Sequence, residues 1–286
     1  MESLLKGLYI VSTPIGNLED ITFRAIKTLK KSDFILCEDT RHSLKLLNNF
    51  DIKNKLIPYH KFNEKKSVKK IIRYLNEGKI LSLISDAGTP VLSDPGNIII
   101  NECIKENINI FVVPGPSSVT AAMSLSGFGE KFTFHGFLPK TENELEKNLK
   151  KLKNDKYSLI FFTPAIKINF YIKFFKKYFS GRNIFIAREM TKKHETYYRD
   201  NIDKIAMFDI PLKGELTIVI SPKIKKDLPT SNYSKIEKQV KKYAKKSYTV
   251  KDIIKLITKK NNVPKKIIYN FYLKYKKWDY FYQYQS

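Results

Sequence analysis

The chain reads as an α/β protein. Short apolar runs alternate with longer stretches of helical spacing, three of the runs end in loops of Pro, Gly, Ser and Thr, and 286 residues suffice for two packed cores. Leu8-Tyr9-Ile10-Val11-Ser12 is the first strand, running into Thr13-Pro14-Ile15-Gly16-Asn17. Asp20 then stands where a helix N-cap is expected, with Ile21, Ala25, Ile26 and Leu29 on the inward side. Phe34-Ile35-Leu36-Cys37 is a second strand, ending at Glu38-Asp39-Thr40-Arg41-His42. An amphipathic helix is predicted from about Asn63 to Glu77, stopped by Gly78. The β-branched run Ile80–Ile84 leads into Ser85-Asp86-Ala87-Gly88-Thr89-Pro90 and on to Asp94-Pro95-Gly96; Ile110–Val113 leads into Pro114-Gly115-Pro116-Ser117-Ser118. Ligands of open α/β sheets bind at the carboxyl ends of strands, so the three loops predict one shared pocket where backbone meets ligand.

The first domain is expected to span 1–129, closing near Gly127-Phe128-Gly129, with Phe132 to Lys140 crossing into a second α/β domain, 130–221. That domain reads as helix Glu142–Lys153, strand Tyr157–Phe162, helix Ile166–Phe179, and strands Ile184–Ala187, Glu195–Arg199 and Leu216–Ile220. Residues 222–233, with Pro222 and Pro229, read as a linker, and 234–286 as a basic helical region. There Thr249-Val250-Lys251-Asp252 resembles a capping box ahead of Ile253, Ile254 and Ile257; Asn261-Asn262 and Pro264 open a further helix carrying Ile267, Ile268 and Phe271. Two such helices resemble a helix-turn-helix. Tyr269 to Tyr284, with Trp278, mixes lysine with aromatics, which suits base stacking or a dimer contact.

Lys and Arg number 53 against 28 Asp and Glu, and the net charge of +25 favours a polyanionic partner such as RNA. No apolar run approaches the roughly 18 residues of a membrane span, and the N-terminus carries no leader-like apolar stretch, so a soluble cytoplasmic protein is expected. Cys37 and Cys103 lack C-x-x-C spacing and His42, His60, His135 and His194 are scattered, so no metal is expected. Neither G-x-G-x-x-G nor a P-loop is present, which argues against nicotinamide and ATP enzymes.

Several segments together resemble the tetrapyrrole methylase family, and within it the branch that modifies ribosomal RNA. They are Tyr9 to Ala25, Glu38 to His42, Ser85 to Gly96, Val113 to Ser118, Phe134 to Lys140 and Arg188 to Lys193, in the family's order over about the first three quarters of the chain. The resemblance implies two α/β domains with S-adenosylmethionine in the cleft between them, a homodimer, and 2′-O-methylation of a cytidine ribose in 16S rRNA of the 30S subunit. It also implies that Pro14, Ser85, Asp86, Ala87, Thr89, Ser117 and Ser118 line the cofactor, and that Gly214-Glu215-Leu216 adds a wall from the second domain. Where the family usually carries Tyr-Glu-Ser-Pro-His-Arg, this chain has Phe161-Phe162-Thr163-Pro164-Ala165-Ile166, without the Glu, His and Arg. A small-molecule methylase of the tetrapyrrole type and a non-catalytic RNA-binding relative are the alternatives.

A ribose hydroxyl must shed its proton to act as a nucleophile, and Glu38 and Asp39, at a strand's carboxyl end, are the candidate bases. Arg41 suits a phosphate oxygen, and Arg24, Lys140, Arg188 and Lys192 are candidates for the RNA backbone. The competing structural role is an ion-pair lattice of Glu38, Arg41, Arg24 and Glu189.

Overall fold

A computed structural model describes residues 4–223, 230–246, 248–260 and 263–283. It divides into two compact units, 1–224 and 225–286. In the first, strands and helices alternate: β1 (Gly7–Val11), α1 (Phe23–Lys31), β2 (Phe34–Cys37), α2 (Thr40–Asn49), β3 (Lys55–Pro58), α3 (Glu64–Asn76), β4 (Ile80–Leu83), α4 (Asn97–Lys105), β5 (Ile110–Val113) and α5 (Ser118–Ser126). The five strands make one parallel sheet in the order β3-β2-β4-β1-β5. Side chains alternate between its faces. Leu8 and Ile10 pack with Leu36, Leu81 and Leu83 against Ile71 and Leu75 of α3 and Ile99 and Cys103 of α4, while Tyr9 and Val11 pack with Ile35 and Cys37 against Ala25 and Leu29 of α1 and Leu47 of α2. Each fully buried Leu or Ile contributes about 1.5–3 kcal/mol, and because helices cover both faces of the sheet β1 is buried along its whole length.

The chain continues through β6 (Phe132–Phe137), α6 (Glu142–Leu152), β7 (Ser158–Pro164), α7 (Ile168–Tyr178), β8 (Asn183–Arg188), β9 (Thr196–Asn201) and β10 (Glu215–Ile220). The second sheet runs β6-β7-β10-β8-β9, with β6 parallel to β7 and the other pairs antiparallel. One face packs Leu159, Phe161, Ile186 and Ile218 against α6 and α7. The opposite face, with Ile160, Phe185, Ala187 and Val219, is covered by Val119, Ala122 and Met123 of α5. Helix α5 is thus shared between the halves: it follows the first sheet in sequence and supplies core to the second.

Three expectations are corrected. Asp20 is not the cap of the first helix: it ends a short 3₁₀ turn, Leu18–Asp20, and Thr22 caps α1 by accepting the Ala25 amide at 3.0 Å. Phe132–Phe137, expected only as a crossing, is a strand, because it finds β7 as a parallel partner. Among the described residues the basic region holds three helices, α8 (Thr230–Lys245), α9 (Val250–Lys260) and α10 (Lys265–Gln283), so helix begins inside the segment expected as linker. Ile236 and Val240 of α8 close a core with Ile253, Ile257, Val263 and Ile268. Pro229, Asn261-Asn262, Tyr284 and the Trp278 side chain lie outside the described residues. Among those described, no helix is long and apolar enough to cross a membrane.

Candidate active site

Strands β4, β1 and β5 are neighbours, so the loops that follow them emerge side by side. Their small hydroxyl residues lace them together. Thr13 and Gly88 exchange both backbone hydrogen bonds (2.8 and 3.1 Å), Thr13 Oγ1 donates to the Ser85 carbonyl (3.2 Å), Ser12 and Thr89 hydroxyls meet at 3.0 Å, and Thr89 Oγ1 donates to the Pro116 carbonyl at 3.2 Å. Ser85 Oγ turns to the carbonyls of Ala87 and Gly88, both at 3.3 Å. Beyond this lacing the loop is strained: Val91 and Ser93 take φ of +76° and +75°. Such backbone costs about 1–3 kcal/mol for each residue, more so for a β-branched one, and persists only where its surroundings hold it. The hold comes from Glu64 at the start of α3, a buried carboxylate that accepts the Gly96 amide at 2.8 Å. Gly96 has φ +143°, and a Cβ there would stand 2.7 Å from Val91 and 2.9 Å from Leu83.

The second wall is built by β7, β8, β10 and the turn after β8. Glu189 sits at φ +48°, accepts the Glu215 amide at 2.9 Å and pairs with Lys192 at 3.0 Å; Lys192 also reaches Glu215 at 3.5 Å. Burial pushes Glu189 up, but the Glu215 amide, Lys192 and Arg188 together hold its carboxyl below its ordinary value. The walls touch at Gly16-Asn17: the Asn17 amide donates to Thr191 Oγ1 at 3.0 Å, and a Cβ on Gly16 would lie 2.4 Å from the Lys192 side chain.

Between the walls lies a cavity of about 280 Å³. Of the residues expected at the cofactor, Asp86, Ala87, Thr89, Ser117, Ser118, Glu215 and Leu216 line it, as do Glu38 and Lys192. Pro14 and Ser85 are buried and lie outside the lining, and Ser85 takes part in the loop lacing. Gly214 stands just outside, at φ +98°; a Cβ there would lie 2.5 Å from the Glu189 carboxyl, which leaves room only for glycine. Sequence reasoning missed Asp94, Glu189, Met190, Ile15, Val119 and Phe137, which also line the cavity. Asp94 lay within the most turn-rich stretch of the chain and was legible there; Ile15 and Val119 belong to the strand-end loop after β1 and the start of α5, next to residues that were read, and Glu189, Met190 and Phe137 are placed by the folding of the second sheet.

Five carboxyls line this space, those of Glu38, Asp86, Asp94, Glu189 and Glu215. Burial first, then Asp86, raises Glu38, with His60 pulling the other way. Burial first, then Glu38, raises Asp94 to about 6 despite a hydrogen bond from Ser85. Asp39 is set apart: it caps α2, accepting the Arg41 amide at 2.9 Å and its guanidinium at 2.8 and 3.1 Å, and those bonds hold it well below the usual carboxylate range. The expected lattice of Glu38, Arg41, Arg24 and Glu189 does not form, because Arg41 pairs with Asp39 and Glu189 with Lys192. Arg188 donates to the Lys213 carbonyl at 2.8 Å, whereas Arg24 and Lys140 are exposed away from the lining.

At the divergent segment, Phe162 and Thr163 face the cavity, Ala165 is buried and Ile166 is 72% exposed. Phe162 meets Phe134 and Phe137 edge-on, with centroids 4.9 and 5.4 Å apart. An aromatic cluster therefore forms this part of the cavity wall.

Strand-end loops of a parallel sheet closing on a second, mixed sheet define a methylase fold, and residues 7–206 match the family described as Tetrapyrrole (Corrin/Porphyrin) Methylases. The chain belongs to that family. Its curated relatives carry a narrower name: Ribosomal RNA small subunit methyltransferase I of Thermotoga maritima is 46% identical over 220 residues, covering 76% of this chain and 98% of its own. The protein of the same name from Halalkalibacterium halodurans is 37% identical over 275 residues, 93% of this chain and 95% of its own. Uroporphyrin-III C-methyl transferase from Thermus thermophilus, solved in complex with S-adenyl homocysteine, shares the fold with a TM-score of 0.53 at 14% identity, over 75% of this chain and 97% of that one.

Proposed function

We propose that the protein transfers a methyl group from S-adenosylmethionine to the 2′-hydroxyl of a cytidine ribose in 16S rRNA, within the 30S subunit, and works as a cytoplasmic homodimer. The observation that carries the reading is 46% identity across nearly the whole length of a relative named for methyl transfer to small-subunit ribosomal RNA. Fold alone does not choose the substrate, since a porphyrin-ring methylase has the same one.

The lining fits the donor. A cavity of about 280 Å³ is near the lower end for sites that enclose a small ligand. Glu38, Asp86 and Asp94 present negative charge suited to a cationic sulfonium, and Ile15, Leu92, Val119, Met190 and Leu216 present apolar surface suited to a flat base. When bound, S-adenosylmethionine supplies an electrophilic methyl carbon. The chain's own part is to align the ribose oxygen with it and to accept the hydroxyl proton. Glu38 is the carboxylate for that step. It lines the cavity, and burial with Asp86 beside it makes it a stronger base than an exposed glutamate, whereas Asp39 is engaged by Arg41. Lys192, anchored by Glu189, presents a cation at the cavity for phosphate.

The test is incubation of the purified protein with methyl-labelled S-adenosylmethionine and undermodified small-subunit particles, then nuclease digestion and mass spectrometry. Methyl on a cytidine sugar supports the reading; methyl on a base, or on a porphyrin and not RNA, overturns it. A second reading, a non-catalytic RNA-binding relative, is favoured by the missing Glu, His and Arg around Phe162 and Ile166. It predicts retained RNA binding with no methyl transfer in the same assay.

A further inference from the structure

One residue beyond β3, after Tyr59, the chain reads His60-Lys61-Phe62-Asn63-Glu64-Lys65-Lys66-Ser67-Val68-Lys69-Lys70. Phe62 is 91% exposed, and Lys61, Lys65, Lys66, Lys69 and Lys70 are all exposed around it. Among the described residues no carboxylate pairs with any of the five; Lys70 lies only over the Tyr74 ring, at 5.8 Å. The single acid of the segment, Glu64, is turned inward to the Gly96 amide. Lys65 with Lys69 and Lys66 with Lys70 are like-charge pairs four apart on α3, an arrangement that an isolated helix disfavours. Helix stability does not explain them.

The loop that carries Phe62 is nonetheless ordered. Asn63 accepts the His60 amide at 2.8 Å and donates to the Pro58 carbonyl at 3.0 Å, and the His60 and Phe62 rings meet edge-on at 6.1 Å. A fixed, solvent-facing ring therefore stands among unpaired cations. The segment also adjoins the site: Tyr59 donates its amide to the Cys37 carbonyl at 2.8 Å, one residue before Glu38, and Glu64 holds the loop that carries Asp94.

We propose that His60–Lys70 is a docking surface for single-stranded RNA, on which Phe62 stacks against an unpaired base while the lysines hold flanking phosphates. Aromatic faces for bases combined with cations for the backbone are how single strands are bound, and unpaired bases are what proteins read in folded RNA. Charge decides against a second copy of this chain as the occupant, because a self-contact centred on Phe62 would bring two lysine clusters together. The proposal rests on the rRNA reading above and adds where the strand lies.

The experiment uses the full chain and a labelled oligocytidylate, with anisotropy read across a salt titration. Phe62→Ala is expected to weaken binding roughly tenfold at an unchanged salt slope, and Phe62→Tyr to restore it. Lys65→Gln with Lys66→Gln is expected to reduce the salt slope by about 1–2. Affinity for S-adenosylhomocysteine and the sedimentation coefficient are expected to stay the same in every variant. RNA affinity and salt slope equal to the parent's in both the Phe62→Ala and the lysine variants overturn the proposal, as does a Phe62→Ala protein that changes oligomeric state. A parent chain that binds no RNA removes the rRNA reading itself, and this surface with it.

Discussion

Asp94 shows how the cleft sets charge by burial. Its carboxyl is raised to about 6 by burial first and by Glu38 second. A raised acid stabilises the fold fully only below its unfolded value, near 4, and that contribution is gone once pH passes about 6. Asp94→Asn is therefore expected to stabilise the unliganded protein at pH 8 by on the order of 2 kcal/mol, read from urea midpoints, and to change little at pH 4. Binding of a cation runs the other way. Affinity for S-adenosylmethionine is expected to rise between pH 5 and 7 as Asp94 ionises, more than affinity for S-adenosylhomocysteine, which lacks the sulfonium charge; Asp94→Asn should remove that difference. Equal pH profiles for the two ligands in the parent protein would exclude Asp94 from the sulfonium's surroundings. Asp86 makes a simpler case. It lines the cavity beside Glu38, so Asp86→Arg is expected to abolish S-adenosylhomocysteine binding in calorimetry, and unchanged binding would remove Asp86 from the site.

At the scale of elements, α3 does two things at once: it displays lysines outward and sends Glu64 inward to fix the strained Val91–Gly96 loop. Losing a buried, charge-assisted hydrogen bond costs about 1.5–3 kcal/mol, so Glu64→Ala is expected to lower the melting temperature and weaken S-adenosylhomocysteine binding about tenfold. Glu64→Gln keeps an acceptor oxygen and should recover most of both; full affinity in Glu64→Ala would show that the loop needs no such hold. Nothing local in the sequence marks this bond, because its partners are 32 residues apart. Strands β1, β2, β4 and β5 were legible since each is a short, β-branched or aromatic run bounded by turn residues, whereas β3, with only Leu56 and Ile57 between Lys55 and Pro58, was not. The shared pocket was legible because the topology sets β4, β1 and β5 side by side. Helix α2 was not, since Thr40–Asn49 carries few apolar residues and its cap, Asp39, read as chemistry. Helix α8 escaped for a related reason: its inward Ile236 and Val240 are sparse among lysines. Residues such as Glu189 and Met190 join the site only because β8 and β10 pair, a long-range event that no local pattern announces.

Over the whole molecule, charge and chemistry are unevenly distributed. Residues 225–286 hold seventeen lysines, no arginine and four acidic residues, which is more than half of the chain's net charge of +25. They also form a compact unit with a core of their own, so truncation after the first unit removes no residue from the core of either sheet. A lysine-rich unit carrying none of the cavity lining suits substrate capture rather than methyl transfer. The protein cut back to residues 1–224 is accordingly expected to keep its S-adenosylhomocysteine affinity, to bind RNA more weakly, and to show a flatter salt dependence because fewer phosphates are neutralised. The aromatics of α10 offer the competing role of a dimer contact. Sedimentation of the truncated protein beside the salt titration separates the two. A dimer with a reduced slope supports capture, whereas a monomer whose slope matches the parent's assigns the basic helices to assembly.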